Sequence, residues 1–214
     1  MKILAINGSP RKGKNTALML QTALEAAAEL GTATELLELS DFNLRFCTGC
    51  NACLRQTTCA ITDDDNAYLH AKMLEADGII LGSPCYFGNV TALMKNFMDR
   101  TRCLHMVQPA LKGKVGGAVT HAGLRHGGQE HTLAILERFL VSQGLILADG
   151  FEPFEGGPRV LTTTGVMATM YRGMEEGKIK YYRSVTEDEL AMTACRTLGQ
   201  NMVKLIQKLQ GGAV

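Results

Sequence analysis

Four of the seven cysteines lie close together, at Cys47, Cys50, Cys53 and Cys59. Their spacing is C-x2-C-x2-C-x5-C, and the residues between the first three are small enough for the backbone to turn tightly. Four thiolates within thirteen residues can hold one iron–sulfur cubane. Structural zinc is the main alternative, although zinc sites usually join two separated cysteine pairs. A reactive cysteine loop that binds no metal is the second alternative.

The other three cysteines are Cys85, Cys103 and Cys195, and they are scattered along the rest of the chain. Because none of them is near the four-cysteine segment in sequence, we do not expect them to be ligands. We interpret Cys85 as a small buried apolar residue.

The loop from Gly8 to Thr16 has a composition that suits an anion. It follows a short apolar segment and precedes a predicted helix, so its backbone amides and the helix dipole can hold a phosphate. It is not a Walker A loop, because Gly13 is followed by Lys14 and Asn15 instead of Lys and a hydroxyl residue. The alternative is a polar turn in which Asn15 or Thr16 caps the helix.

Two further loops carry groups that suit a planar, hydrogen-bonding ring. The first runs from Ser83 to Val90 and offers two adjacent aromatic residues, although core packing is the more common role of such a pair. The second runs from His121 to Glu130 and is rich in glycine. Its histidines, with His131, lack the i, i+4 spacing of a helical metal site, so we expect them to be exposed or beside a ligand.

The elements that must position these loops alternate between strands and helices. Apolar segments predict strands at 2–6, 34–39, 78–82, 114–121 and, more weakly, 145–147. Helices are predicted at 16–30, 64–76, from 90 to 98, 132–142 and 187–209. This alternation indicates a doubly wound, five-stranded parallel sheet in a three-layer α/β sandwich, with the cysteine-rich loop 43–63 after the second strand. Ligands bind beyond the carboxyl ends of such strands.

Residues 150–185 do not follow this alternation. They contain Gly156-Gly157-Pro158 and three methionines, Met167, Met170 and Met174, whose spacing suggests one helical face. The methionines serve either local packing or a lid over a cofactor. We therefore interpret 150–185 as an irregular extension, and we expect residues 157–185 to lie over the ligand site or a subunit contact and not in the sheet.

Composition limits the classes of function. A chain of 214 residues with 46% hydrophobic residues fits one domain, 1–214, with a substantial core. The formal net charge of +1 gives no reason to expect nucleic acid or a membrane surface as partner. The N-terminal apolar run is too short for a signal peptide, and no stretch approaches the ~20 apolar residues of a membrane span. We therefore expect a cytoplasmic protein, in which clustered cysteines indicate metal or redox chemistry before disulfides.

The loops resemble those of known flavin-binding families. Ser9, Arg11, Asn15 and Thr16 match the FMN phosphate loop of NADPH-dependent FMN reductases and flavodoxin-like proteins, although Gly13 stands near where another hydroxyl residue is often found. The loop after the third strand resembles their isoalloxazine loop, and the Gly-Gly-Gln-Glu loop resembles the one that closes that site. With the cysteine spacing, residues 2 to about 145 resemble the iron–sulfur flavoprotein family, which implies a flavodoxin-like fold.

This resemblance implies an electron-transfer oxidoreductase with one FMN and one [4Fe–4S] cluster on Cys47, Cys50, Cys53 and Cys59. It implies reduced ferredoxin or NAD(P)H as donor, a small-molecule acceptor, and a homodimer or homotetramer with FMN at the subunit contacts. Arg125 would lie near the pyrimidine end and stabilise an anionic reduced flavin. The implied FMN-binding residues are Ser9, Arg11, Asn15, Thr16, Pro84, Cys85, Tyr86, Phe87, Gly88, Asn89, His121, Arg125, Gly127, Gly128, Gln129 and Glu130.

Two other functions stay open. One is a flavin-only NAD(P)H-dependent reductase of FMN, quinones or metal ions. The other is a flavodoxin-like binding module whose cysteines hold structural zinc.

Overall fold

The computed structural model describes residues 1–150 and 165–211. Its elements follow one another as β1 (Lys2–Asn7), α1 (Asn15–Ala28), β2 (Ala33–Glu38), α2 (Asn66–Glu75), β3 (Gly78–Pro84), α3 (Ala92–Arg100), β4 (Val115–Ala122), α4 (Gln129–Ser142), β5 (Ile146–Leu147), β6 (Val166–Thr169), β7 (Tyr171–Glu175), β8 (Lys178–Tyr181) and α5 (Glu189–Gln210). None of these helices is long and apolar enough to cross a membrane, as far as the described residues go.

The main sheet has the order β2-β1-β3-β4-β5, with every pair parallel. Strands β1 and β3 are central and read as continuous apolar segments, because a parallel sheet is covered on both faces. Alternate side chains point to opposite faces: Ile3 and Ala5 pack in one apolar cluster, and Leu4 and Ile6 in the other. Helices α1 and α5 cover the first face, and α2, α3 and α4 cover the second. The predicted flavodoxin-like, doubly wound sandwich is therefore confirmed.

The fifth position of the sheet is shared by two short strands. β5 pairs with the first half of β4, whereas β6 pairs with its second half, from Val119↔Val166 to Ala122↔Thr169. The prediction that residues 157–185 lie outside the sheet is wrong for β6. The predicted helical face is also wrong, because Met167 is in β6 and Met174 is in β7. A strand of four residues is too short to show its own alternation in the sequence. The i, i+3, i+7 spacing of the methionines therefore resembled a helix by chance. Residues 157–164 lie outside the described part.

Strands β7 and β8 form an antiparallel hairpin of their own. Its turn has two residues with positive φ, Glu176 and Gly177, as a tight hairpin requires. Three large side chains of the hairpin are exposed, namely those of Met174, Ile179 and Tyr181. Within the described residues 165–185, this hairpin stands apart from the main sheet.

Candidate functional site

The loop between β1 and α1 is held against β3 and α3. The amide of Gly8 donates to the carbonyl of Gly82 at 2.8 Å, and Thr91 Oγ1 donates to the Gly8 carbonyl at 2.5 Å. A Cβ at position 8 would lie 2.6 Å from Met94 Cβ, so only glycine fits there. The loop is thus anchored at the carboxyl edge of the sheet, where the fold binds ligands.

The first turn of α1 has no side-chain cap. The N-cap residue is Lys14, whose side chain makes no capping hydrogen bond, and the first turn contains no acidic residue. The alternative in which Asn15 or Thr16 caps this helix is therefore wrong. Free amides and the positive end of the helix dipole suit an anion such as phosphate.

A buried carboxylate that the sequence analysis missed holds this loop in shape. Glu38 is 8% exposed, and its Oε2 accepts a hydrogen bond from Asn7 Nδ2 at 2.6 Å. Its Oε1 accepts from the Gly13 amide at 3.1 Å, while Asn7 Oδ1 accepts from the Ser9 amide at 2.9 Å. The available signal was a polar residue at the end of each of two neighbouring strands. The loop conformation is therefore set before any ligand binds.

The four predicted phosphate-binding side chains lie at this loop, but two of them already have distant partners. Ser9 Oγ accepts from the Arg11 amide at 3.1 Å, and Arg11 itself is exposed. Asn15 Oδ1 accepts from the amide of Val185 at 3.3 Å, which ties the start of α1 to the segment after the hairpin. Thr16 Oγ1 lies 3.1 Å from His121 Nε2 and so joins the loop to the end of β4. Their roles toward phosphate stay predictions.

The aromatic pair after β3 forms a tight turn at the surface. Tyr86 and Asn89 exchange two backbone hydrogen bonds, of 2.9 and 3.1 Å, around Phe87 and Gly88. Both central residues have positive φ, 52° for Phe87 and 70° for Gly88, a conformation that costs energy at a residue other than glycine. The Phe87 side chain is fully exposed and that of Tyr86 is exposed too, so the core-packing alternative is wrong.

The glycine-rich loop after β4 packs directly on this turn. Cys85 is only partly buried, which corrects its interpretation as a buried residue, and its Sγ donates to the Gly127 carbonyl at 3.0 Å. Gly128 has φ of +89°, and a Cβ there would lie 2.6 Å from Gly88 Cα. Gln129 braces the loop, since its Oε1 accepts from the Gly127 amide at 2.9 Å and its Nε2 donates to the Arg125 carbonyl at 2.9 Å.

The two loops enclose a largely apolar groove of about 490 Å³. It is lined by Cys85, Tyr86, Phe87, Ala122, Gly123, Leu124 and Gly127. The groove lies beyond the carboxyl ends of β3 and β4, and it offers aromatic faces and backbone groups to a planar ring. Pro84 ends β3, and Glu130 lies in the first turn of α4.

His121 is the titratable group between the phosphate loop and this groove. Burial, followed by the nearby charge of Arg11, lowers the pKa of His121 to about 4. The imidazole is therefore neutral at pH 7, with Nε2 next to Thr16 and a buried Nδ1 that has no partner among the described residues. His126 and His131 are both exposed, as the sequence predicts.

The two ends of the cysteine loop are hydrogen-bonded to each other. The Asn43 amide donates to Asp65 Oδ2 at 2.7 Å, and the Asp65 amide donates to the Asn43 carbonyl at 3.0 Å. All four predicted ligands line one pocket, together with Arg100 and Cys103; they are Cys47, Cys50, Cys53 and Cys59. Across residues 1–150 and 165–211, no group of three or more His, Cys, Asp or Glu side chains is arranged to hold a metal ion. Cluster binding thus stays a prediction.

The thiol pocket lies at the far end of α3 from the phosphate loop. The N-cap of α3 is Thr91, which contacts Gly8, whereas Asp99 and Arg100 at the other end line the pocket. Eight steps of 1.5 Å from Ala92 to Arg100 make about 12 Å. The loop begins at the carboxyl edge as its position after β2 predicts, but its thiols are displaced along the helix.

Sequence analysis did not place Arg100 and Cys103 in the pocket wall, and it missed Asp64, the buried partner of Arg100. Burial, with the nearby Cys59 next, raises the pKa of the Cys103 thiol to about 11, so it is protonated at pH 7. Burial alone would raise the pKa of Asp64, but hydrogen bonds from Arg100 and from two backbone amides outweigh it and lower that pKa. Three consecutive aspartates after the last cysteine, at 63–65, were the only signal in sequence.

Comparison with known proteins gives the same picture of fold and family. The family model described as NADPH-dependent FMN reductase matches residues 1–151. An iron–sulfur flavoprotein of Methanocaldococcus jannaschii is 41% identical over 97% of this chain and 100% of its own length. The crystal structure of RosB with bound 8-demethyl-8-formylriboflavin-5'-phosphate is similar with a TM-score of 0.75 at 16% identity, covering 99% of this chain and 81% of RosB. A WrbA-like flavodoxin from Agrobacterium tumefaciens is similar with a TM-score of 0.58 at 16% identity, covering 99% and 98%.

Proposed function

Because this chain belongs to the iron–sulfur flavoprotein family of NADPH-dependent FMN reductases, and is thus an FMN-dependent oxidoreductase, we propose that it carries a second redox centre. That centre is one [4Fe–4S] cluster ligated by Cys47, Cys50, Cys53 and Cys59. FMN takes up one or two electrons and a cluster passes one at a time, so the pair couples one-electron to two-electron transfer.

The proposed flavin position follows from the two loops at the carboxyl edge. The phosphate lies at the uncapped start of α1, where Ser9, Arg11, Asn15 and Thr16 are its side-chain partners. The ring lies in the groove between the aromatic turn and the glycine-rich loop, with Arg125 towards its pyrimidine end. A cationic side chain there stabilises negative charge on the reduced ring.

One observation carries the cluster proposal: four thiols from a single loop line one pocket that also contains a buried guanidinium. Thiolates are the ligands of iron–sulfur clusters, and a buried cation offsets part of their negative charge. The four thiols therefore suit a [4Fe–4S] cluster in their chemistry. Cys103 lines the same pocket, but it is outside the four-cysteine loop and its Sγ lies 3.6 Å from His70 Nδ1, so we propose that it is not a ligand.

We further propose a homodimer or homotetramer that receives electrons from reduced ferredoxin or NAD(P)H and passes them to a small molecule. The thiol pocket lies at the end of α3 away from the phosphate loop, and the aromatic turn beside the flavin groove is exposed, so our proposal includes exchange between the pocket and the FMN of a neighbouring subunit. The exposed apolar side chains of Tyr86, Phe87 and Leu124 around the flavin groove support a subunit contact there.

The test is anaerobic purification followed by assays of iron, acid-labile sulfide, zinc and FMN. We expect equimolar FMN with four irons and four sulfides per chain, as the name of the cluster requires. Serine at any one of the four ligand positions should abolish or destabilise the cluster while FMN stays bound, whereas Cys103→Ala should keep the iron. Cys195→Ala, in the core between α5 and α1, is the control for general destabilisation.

Two results would contradict the proposal. Zinc without sulfide would identify a structural zinc site. Protein without metal whose FMN is reduced by NAD(P)H at the same rate in all cysteine variants would identify a flavin-only reductase.

A further inference from the structure

The guanidinium of Arg100 joins the two ends of the cysteine loop. Its side chain and that of Asp64 are both 0% exposed. Nη1 donates to the carbonyl of Arg45, before the first cysteine, and to Asp64 Oδ2, each at 2.5 Å. Nη2 donates to Asp64 Oδ1 at 3.2 Å and to the carbonyl of Ile61, after the last cysteine, at 3.4 Å. One side chain thus closes the loop that carries all four thiols.

The same guanidinium contacts one of those thiols. Arg100 Nη2 lies 3.5 Å from Cys59 Sγ, within hydrogen-bonding distance of a sulfur acceptor. A guanidinium stays charged in proteins, so Arg100 brings a buried positive charge to this thiol. A buried charge is tolerated when it is paired and hydrogen-bonded, and Asp64 supplies the pairing.

One donor of this buried cation has no protein partner. Arg100 Nε is buried without an acceptor among the described residues, although Nη1 and Nη2 are both engaged. A buried, unpaired N–H of a charged group is costly, which implies an acceptor beyond residues 1–150 and 165–211. Arg100 lines the thiol pocket, and four thiolates make its contents anionic. The residue with the unpaired donor is therefore one that lines the pocket where negative charge is expected.

We propose that Arg100, oriented by Asp64, is a positioning residue of the cluster site that both holds the four-cysteine loop closed and raises the reduction potential of the cluster. This inference rests on the proposed function. Reduction adds negative charge, so a nearby cation and N–H donors to sulfur favour the reduced form. A purely structural role would close the loop without altering the potential, which makes the potential the decisive measurement.

The main variant is Arg100→Gln with Asp64→Asn, which replaces the buried ion pair by a neutral amide pair and leaves no buried charge unpaired. The matched control is Arg102→Gln. Arg102 lines the same pocket but is partly exposed, and its contacts to Asn51 Oδ1 are 3.5 Å long. It removes a guanidinium, as Arg100→Gln does, but from a site that solvent screens. Arg100→Lys keeps the buried charge but loses the fork that reaches Asp64 and Cys59 together.

Iron, sulfide and FMN are assayed in each anaerobically purified variant, and the cluster potential is measured by titration monitored by electron paramagnetic resonance. In the double variant we expect the equilibrium constant for reduction of the cluster to fall at least tenfold, which lowers the potential by 59 mV for a one-electron couple. In Arg102→Gln the same constant should change by less than threefold. Loss of the cluster from a folded double variant that keeps FMN, with recovery in Arg100→Lys, supports the loop-closing role, and the effect on the potential is then decided by Asp64→Asn.

A cluster that is retained with the wild-type potential in the double variant overturns the inference. If the double variant does not fold or does not keep its cluster, Asp64→Asn decides in its place. Without the carboxylate that offsets Arg100, the potential of the cluster should rise, and an unchanged potential overturns the inference. Failure of the proposed function is a separate result, because it would appear as wild-type protein that has no iron and sulfide.

Discussion

Replacing Gly128 by alanine tests whether the glycine-rich loop shapes the flavin site. Gly128 has φ of +89°, and the added Cβ would lie 2.6 Å from Gly88 Cα in the aromatic turn. Carbon atoms in contact are normally about 3.5–4.0 Å apart, so the two loops must separate by roughly 1 Å. Because that contact is with backbone, no side chain can rotate away to relieve it.

The expected magnitude follows from the backbone conformation. A residue with a Cβ in the left-handed region costs roughly 1–2 kcal/mol, before the clash with Gly88 is counted. In the FMN-free protein the loops can move apart and relieve this strain, whereas the ring site requires them together. We therefore expect FMN to dissociate roughly 5–30-fold more readily, since 1.4 kcal/mol corresponds to tenfold.

The assay is titration of FMN-free protein with FMN, followed by quenching of flavin fluorescence. Gly113→Ala is the matched control, because Gly113 also has a positive φ, +84°, but has nothing within 4 Å of an added Cβ and does not line the groove. Its dissociation constant should stay within about twofold of wild type. Equal affinities of Gly128→Ala and wild-type protein would refute the argument that these touching loops form the ring site.

Three further predictions use other parts of the molecule. The pKa of His121 falls from 6.5 in the unfolded chain to about 4 in the folded protein. The contribution of this residue to stability is therefore complete above pH 6.5 and declines as the pH falls towards 4. The FMN-free protein should lose about 2 kcal/mol of unfolding free energy by pH 5 from this residue. His121→Asn should abolish that part of the loss in urea titrations, and an identical pH dependence would contradict it. Alanine at both Asn15 and Thr16 should weaken FMN by tenfold or more through lost hydrogen bonds to a charged group, but riboflavin much less; equal losses would show that they do not bind phosphate. Replacing residues 172–180 by Asn-Gly, which keeps a tight turn, should lower the mass of the assembly in analytical ultracentrifugation if the exposed hairpin is a subunit contact, and an unchanged mass would remove the hairpin from the interface.

Local patterns in the chain were sufficient for the architecture and for the loops that meet at the ligand edge. Continuous apolar segments such as Ile3–Ile6 mark buried parallel strands, and each is followed by a polar or glycine-rich loop. Since the carboxyl ends of parallel strands share one edge, the loops after β1, β3 and β4 had to converge. The groove between the aromatic turn and the glycine-rich loop is the observed result.

The cysteine loop shows where such reasoning ends. Spacing alone predicted that four thiols act together, because residues three apart in a tight loop stay close in space. It could not place the pocket at the far end of α3, since that depends on how 23 loop residues between 43 and 65 fold over the helix layer. The distance between the two proposed redox centres was therefore not accessible from sequence.

What the sequence by itself determined is the order of elements, the parallel sheet and the identity of the thiol and loop residues, because these depend on short-range periodicity and turn chemistry. Only the tertiary structure decided that β6 completes the fifth position of the sheet, that Glu38 shapes the phosphate loop and that Arg100 closes the cysteine loop. Each of these rests on partners 25 or more residues away, Glu38 with Gly13 and Arg100 with Arg45 and Asp64. No local pattern encodes such pairs, because the buried polar groups find their partners only when the packed chain brings them together.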